Sequence, residues 1–404
     1  MADLRPVTCA GCGLLCDDVR VERSGDAVRL QPDCDLGADW FAQRASRPAS
    51  TPAATLGGQP ADVDTAVRRV AELLSGARRP LLHGFAGATI EDARAAVALA
   101  DRLGAIVATD SVTDAWPGAP ALSLRGTSTA TLGEIRDRSQ VIVIWREDPE
   151  RTHPRLLGRL GFGAGSPSRL GGERTLVVVD DRDTATAARA DLQLRWPRDR
   201  DLDALTSLHA LQRGLTLAPG DLRIECSGLL ERVTAVPHAT FVHGPGLATG
   251  IGGQRRALAL HELVRALSRD SHVVTLALPS AAGITGAQDV VAWQTGYLGN
   301  VDLASGHPEP ITATRPLATA EAVDVSLRIE GGPDELDGGV TKIALCSLPV
   351  AGVEVSIRTA AAGVAATGTA HRLDGVPLAL QAPFRNDAPT AAALLTRLLA
   401  EITS

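Results

Sequence analysis

The sequence predicts an α/β protein built on parallel sheets, with a small cysteine lobe at its front. Three observations carry that expectation. Four cysteines, Cys9, Cys12, Cys16 and Cys34, crowd the first stretch of chain. Short continuous apolar runs such as 140–145 (QVIVIW) and 175–180 (TLVVVD) have the composition of strands buried on both faces. These runs alternate with segments whose apolar residues fall at helical spacing, the order that builds layered α/β domains.

Taken in order, residues 1–50 form the cysteine lobe, with alternating stretches such as Asp18-Val19-Arg20-Val21-Glu22. Segment 46–62, rich in Pro, Ala, Ser and Gly, reads as a linker. Residues 63–74 have helical spacing behind the candidate caps Asp62 and Asp64. A buried strand at 80–85 ends in a glycine turn; a helix at 89–103 and a strand at 105–108 follow. The same order of strand, His-Gly, loop, helix and strand recurs over 239–244, 256–268 and 272–278. The two copies are expected to be βαβ elements of one parallel sheet. Between them, 140–145, 175–180 and 192–195 read as strands, 185–190 as a helix and 161–174 as a Gly/Ser-rich loop. The last third holds strands near 323–329 and 342–345, Gly-rich chain, and a final helix at 390–402. On this reading 51–120 and 235–404 make a discontinuous α/β domain, and 121–234 is an inserted α/β domain.

The 404 residues suffice for two or three domains, and 45% hydrophobic with 22% charged residues is ordinary for a globular protein. A net charge of −7 gives no basic footprint for nucleic acid. No apolar run approaches the ~18 residues of a membrane span. With no secretory leader pattern, the expected location is the cytoplasm. Lys342 is the one lysine, so Schiff-base or lysine-base chemistry has a single candidate. Aromatics are 3%, which leaves the core to Ala, Val and Leu.

The cysteines follow C-x2-C-x3-C-x17-C, and no further cysteine occurs until Cys226. Four thiolates can complete a [4Fe–4S] cluster, whose fourth ligand returns from a separate segment. They can also hold structural zinc, although zinc sites more often use two C-x2-C pairs. A third reading is a relic that binds nothing. Cys226 and Cys346 read as ordinary thiols. The His-Gly turns at 83–84 and 243–244 are candidate phosphate cradles, because glycine turns at helix starts present N–H groups to anions. Asp180-Asp181-Arg182 ends a buried strand, where acidic residues hold a ribose or cap a helix. His153-Pro154-Arg155 reads as a turn, and 293–297 (WQTGY) as a polar-aromatic loop. No Ser/His/Asp triad, HExxH or phosphate-binding P-loop stands out.

Assembled, these stretches resemble one family. Cys9-Ala10-Gly11-Cys12-Gly13-Leu14-Leu15-Cys16-Asp17-Asp18 and Cys34-Asp35-Leu36-Gly37 look like the opening of the B subunit of formylmethanofuran dehydrogenase. The likeness runs through Thr131-Leu132-Gly133-Glu134 and Val179-Asp180-Asp181-Arg182. It is strongest at Thr285-Gly286-Ala287, Trp293-Gln294-Thr295-Gly296-Tyr297 and 368–377 (GTAHRLDGVP). The resemblance implies a molybdopterin-oxidoreductase-like fold without the C-terminal β-barrel domain of larger relatives. It also implies a [4Fe–4S] cluster on Cys9, Cys12, Cys16 and Cys34 and a tungsten or molybdenum bis-pterin.

Three departures accompany the likeness. Where dehydrogenases carry a metal-ligating Cys or selenocysteine followed by His, this chain reads Asp110 to Gly118, with Thr113-Asp114 or Trp116-Pro117 at the position. Residues 279–283 (PSAAG) lack the family arginine, and Trp40-Phe41 stands where Lys-Phe is usual. Together they resemble the B subunit of the formyltransferase/hydrolase complex of methylotrophic bacteria, which implies a non-redox scaffold in tetrahydromethanopterin- and methanofuran-linked C1 metabolism. Its partners would be an amidohydrolase-like A subunit, a C subunit and a formyltransferase D subunit. The molybdopterin or tungstopterin is then expected to be absent, and no residue is assigned to catalysis. The alternatives are an active dehydrogenase subunit with an unusual metal site, and an Fe–S or Zn interaction module of another complex.

Overall fold

The chain divides into two units, Met1–Trp116 with Ser280–Ser404, and Pro117–Pro279. The computed structural model describes residues 6–25, 27–45, 51–109, 122, 125–162, 174–311, 323–332, 336, 339–384 and 387–403.

The first unit carries a nine-stranded sheet. Its order is Glu309–Pro310, Val301–Asp302, Ile106–Ala108, Pro80–Gly84, Val325–Ile329, Thr341–Cys346, Val355–Arg358, Ala54–Leu56 and Gln59–Ala61. The middle five strands are parallel, and the outer pairs run antiparallel. Pro80–Gly84 is buried at every position, His83 included, as expected of a strand inside a parallel sheet. The helix Val63–Gly76 starts where Asp62 accepts the Thr65 N–H, and it buries Ala66, Val67, Val70 and Leu74 along one face. The helix Ile90–Leu103 opens with a capping box between Thr89 and Asp92 and stops at Gly104, whose φ of 61° is left-handed. Asp92 also accepts the Ala392 N–H at 2.7 Å. One buried carboxylate therefore serves the starts of two helices, Ile90–Leu103 and Ala391–Thr403. The core is Ala, Val, Leu and Ile almost throughout, with Phe85 its one large ring.

The cysteine lobe belongs to this unit. Val7–Cys9, Cys16–Ser24 and Ala27–Gln31 form an antiparallel sheet, followed by the helix Asp35–Ala45. The expected linker at 46–62 needs correction. Ala54–Leu56 and Gln59–Ala61 pair as a hairpin at the sheet edge, with Gly57 and Gly58 at positive φ in the turn. Gly-Pro-Ala composition marks a turn without revealing that Ala54–Leu56 also pairs with Val355–Arg358, far along the chain.

The second unit is a wholly parallel five-stranded sheet ordered Leu192–Leu194, Thr175–Val179, Val141–Trp145, His238–His243, His272–Ala277. Helices Asp201–Gln212, Asp221–Thr234 and Gly253–Leu267 supply its apolar faces. The two His-Gly repeats therefore lie in different sheets, not in one. The second passage of the discontinuous unit begins at 280, not at 235. Local periodicity records that a strand is buried; its sheet is chosen by long-range register, here Ala239 to Val242 against Val141 to Ile144. Among the described residues the sheets stay open and no barrel forms. No helix there is long and apolar enough to cross a membrane.

Candidate functional site

Cys9 and Cys16 face each other across the first hairpin, and Cys12 sits on the turn between them. Leu15 holds that turn with a φ of 41°, and its N–H donates to the Cys12 carbonyl at 3.3 Å. Cys34 comes from a separate segment, immediately before the helix Asp35–Ala45, and its carbonyl accepts the Ala38 N–H at 2.9 Å. Two glycines make room for the sulfurs. A Cβ on Gly37 would stand 2.6 Å from Leu30, 3.1 Å from the Cys9 Sγ and 3.7 Å from the Cys34 Sγ. A Cβ on Gly11 would stand 3.2 Å from the Gly37 backbone.

Burial pushes the Cys9 thiol up to about 12, the neighbouring Cys12, Cys16 and Cys34 add to the rise, and the Gly11 N–H opposes it. The four sequence-selected cysteines thus converge, and their charges demand a cation if all are to ionise. They are gathered loosely: among the described residues, no three of these sulfurs come within 4.8 Å of one another. Tetrahedral zinc with ~2.3 Å bonds sets its sulfurs ~3.8 Å apart.

Around the lobe, Ala10 and Leu15 pack on Ala282, Ala370 and Leu380, with Trp40 alongside. The Leu373 N–H donates to the Gly13 carbonyl at 2.9 Å. On the same unit, His371 Nδ1 lies 2.6 Å from Asp289, and its ring meets Trp293 edge-on at 5.5 Å. Three stretches picked out in the sequence, the cysteine turn, 279–297 and 368–377, are therefore neighbours. Trp293 to Thr295 form the last turn of the helix Ile284–Thr295 and not a loop; only Gly296, at φ 82°, begins the turn. Trp293 remains 62% exposed, a large ring left outside the core.

A basic side chain does stand beside Trp40, one helical turn on. The Arg44 guanidinium lies 5.1 Å over the Trp40 ring. Burial pulls its pKa down, and the Glu330 charge partly restores it. Position-by-position likeness does not reveal this arginine, although an i, i+4 spacing on a helix puts both residues on one face.

Each parallel sheet has one point where its strand order reverses, the usual place for a ligand crevice. In the first unit it lies between Pro80–Gly84 and Val325–Ile329. There the Phe85 N–H donates to Ile329 O (2.8 Å), Ala86 to Gly331 O (3.1 Å), Gly87 to Ala282 O (2.7 Å) and Ala88 to Phe85 O (3.0 Å). Gly84 is required by this stitching, since a Cβ would stand 2.6 Å from the Gly331 oxygen. Beside it Glu330, at φ 60°, hydrogen-bonds to Thr359 and Ser347. Burial and then the Asp92 charge push its pKa up to about 7.

In the second unit the reversal lies between Val141–Trp145 and His238–His243. Glu147 accepts the Gly246 N–H at 2.5 Å, in the place where a phosphate cradle would bind its anion. Burial raises Glu147 to about 7 against the Gly246 N–H and the Arg182 charge. Asp180 is fully buried, but Arg182 and Arg146 hold it; Asp181 also pairs with Arg146, at 2.7 Å. These acids anchor arginines. Both His-Gly turns thus spend these N–H groups on the chain itself. His153-Pro154-Arg155 forms the expected turn, its His153 N–H on Pro149 O at 2.8 Å. The metal-ligand position expected within 110–118 lies outside the described residues.

No family model matches the chain. It is 27% identical to the B subunit of the tungsten-containing formylmethanofuran dehydrogenase 2 of Methanocaldococcus jannaschii, covering 94% of this chain and 93% of that protein. It is 28% identical to the B subunit of the formyltransferase/hydrolase complex Fhc of Methylorubrum extorquens, covering 67% of this chain and 72% of that one. Among solved structures, a chain of the formyltransferase/hydrolase complex (FhcABCD) from Methylorubrum extorquens in complex with methylofuran matches with a TM-score of 0.70 at 26% identity. That match covers 87% of this chain and 99% of the other. The chain is a homologue of the B subunits of formylmethanofuran dehydrogenase and of the Fhc complex.

Proposed function

We propose that this chain is the B subunit of a formyltransferase/hydrolase complex and serves there as a non-redox structural subunit. The complex would move a formyl group from tetrahydromethanopterin to a methanofuran-type carrier and release it as formate. Its partners are an amidohydrolase-like A subunit, a C subunit and a formyltransferase D subunit. The observation that carries the reading is the state of the two sheet crevices. The Phe85 to Ala88 N–H groups are bonded to backbone, and the Gly246 N–H is bonded to Glu147. A pterin dinucleotide brings anionic phosphates that need free donors, and the Glu147 carboxyl already occupies the Gly246 N–H.

Cys9, Cys12, Cys16 and Cys34 would hold a [4Fe–4S] cluster, which supplies one-electron transfer when bound. Gly11 and Gly37 make space for it, and Trp40 with Ala282 covers the lobe's inner side with apolar surface. In a complex without a redox step that cluster is structural, tying the lobe to the hairpin of Gly368–His371 and Pro377–Leu380.

Metal analysis of the purified complex tests this reading. The expected result is substoichiometric tungsten and molybdenum, with no dye-linked formate oxidation. Stoichiometric tungsten with formate oxidation would establish the second reading, an active dehydrogenase subunit. The near-full-length similarity to tungsten-containing relatives favours that alternative.

A further inference from the structure

The geometry points to a divalent transition-metal site of the zinc class, built from Glu134, His238 and His272 in the second unit. Each residue offers one ligand atom, and the three atoms lie within 4.8 Å of one another. His238 and His272 are the first residues of adjacent parallel strands and are direct register partners. Register puts both rings on one side of the sheet, 4.8 Å apart between centroids. Glu134 reaches them from the helix Leu132–Arg138, with its oxygen 3.8 Å from the His272 Nε2. Thr131 fixes that helix start by accepting the Glu134 N–H at 3.2 Å.

His238 distinguishes this trio from a surface cluster. It is only 4% exposed, and its Nε2 is buried with no hydrogen-bond partner. Its Nδ1 lies 2.7 Å from the Ser139 hydroxyl, which lies 2.6 Å from the Thr240 hydroxyl. When Ser139 donates to Thr240, it accepts from Nδ1–H, which leaves the Nε2 lone pair bare. Ligand histidines are held this way, with one nitrogen on an outer partner and the other on metal. The bland alternative is an exposed carboxylate–histidine pair; Arg138 also sits 3.4 Å from Glu134. That alternative accounts for Glu134 and His272 and leaves the buried His238 Nε2 without a hydrogen-bond partner.

Two imidazoles and a carboxylate suit zinc, with water completing the shell, and do not suit magnesium or calcium. Donors around zinc sit ~3.3 Å apart. The half-exposed His272 and Glu134 side chains can close that distance by rotation, since His238 is the fixed member. The site lies at the amino ends of its strands, the opposite end of the sheet from the Glu147 crevice. A bound ion would clamp two strands and a helix.

The test uses the full-length chain titrated with Zn²⁺ and, separately, Co²⁺. His272→Ala and Glu134→Gln are compared with the unmodified chain, both at positions whose loss spares the core. The expected result is one more bound equivalent in the unmodified chain than in His272→Ala. Affinity at that equivalent should fall at least about 100-fold in either variant. The extra Co²⁺ equivalent should show visible d–d bands without the near-ultraviolet thiolate band that marks ions bound by the four cysteines. Excess Zn²⁺ should raise the melting midpoint of the unmodified chain more than that of His272→Ala. Equal stoichiometry and equal midpoint shifts in both proteins would overturn the proposal.

Discussion

At the crevice of the nine-stranded sheet the donors of 85–88 go to backbone carbonyls, whereas at the crevice of the five-stranded sheet the Gly246 N–H goes to the Glu147 side chain. Both crevices arise from the same topology, a reversal of strand order at the carboxyl ends of parallel strands. The difference lies in what occupies the reversal. A backbone stitch holds no titratable group at the bond itself. A carboxylate plug can be protonated, substituted or repelled. The first unit keeps its own acid, Glu330, one residue beyond the strand and turned onto Thr359 and Ser347. Similar burial thus yields two acids near pH 7 with different tasks, one plugging a turn and one serving hydroxyl and backbone donors inside the sheet.

The largest effect should come from adding a methyl group at the plugged turn. In Gly246→Ala the new Cβ would fall 1.9 Å from the Arg146 carbonyl oxygen, with Glu147 close behind. We expect a loss of about 3 kcal/mol in urea-unfolding free energy. Gly84→Ala, with its oxygen contact at 2.6 Å and a φ of 105°, should cost about 2 kcal/mol. A smaller loss at Gly246 than at Gly84 would show that the Arg146–Glu147 turn yields more readily than the stitch.

Next in size is the pH dependence. Glu147 and Glu330 are each raised from 4.5 to about 7, so the folded state binds protons more tightly than the unfolded chain. Their contribution is full below about pH 4.5 and is lost as pH rises through about 7. Each carries at most about 3 kcal/mol of that dependence. Glu147→Gln keeps an acceptor for the Gly246 N–H and should flatten the stability profile between these limits. Glu330→Gln should flatten it independently. A profile unchanged in both variants would mean that the carboxyls are not protonated in the fold.

The smallest effect on folding, and the most informative about assembly, is Trp293→Ala. Its ring is exposed against His371, so stability should change by less than about 0.5 kcal/mol. A large exposed ring is the kind of residue that anchors a subunit interface. Affinity for the other subunits should fall about tenfold or more, read by copurification or titration. Unchanged assembly would remove Trp293 from the interface.

Much of the site is legible in the amino-acid sequence alone. The spacing of Cys9, Cys12, Cys16 and Cys34 predicts that the four share one neighbourhood, and Cys12, Cys16 and Cys34 do lie close enough to act on the Cys9 thiol. Strands such as Val141–Trp145 and helices such as Ile90–Leu103 are legible because period and caps are local signals. Helices Asp201–Gln212 and Asp221–Thr234 are not, and Asp221–Thr234 leaves Ile224 on its outer side. Their apolar residues do not form a clean stripe. Glu147 and Glu330 carry no signal at all, since an isolated glutamate resembles any surface acid until burial raises it. Nor does the meeting of His238 and His272, which register alone pairs, with Glu134 from a separate helix.

The sequence by itself determined the alternation of buried strands and capped helices, the thiol cluster and the family resemblance. Each rests on residues near one another along the chain or on ordered short motifs. Tertiary structure alone decided that the two His-Gly repeats part into separate sheets, that Arg44 stands over Trp40, and that both glycine turns are already bonded. The physical reason is common to all three: each depends on what long-range folding brings alongside a local segment. A backbone N–H is a donor in every sequence, and whether it is free for a ligand depends on which distant carbonyl or carboxylate folding delivers to it.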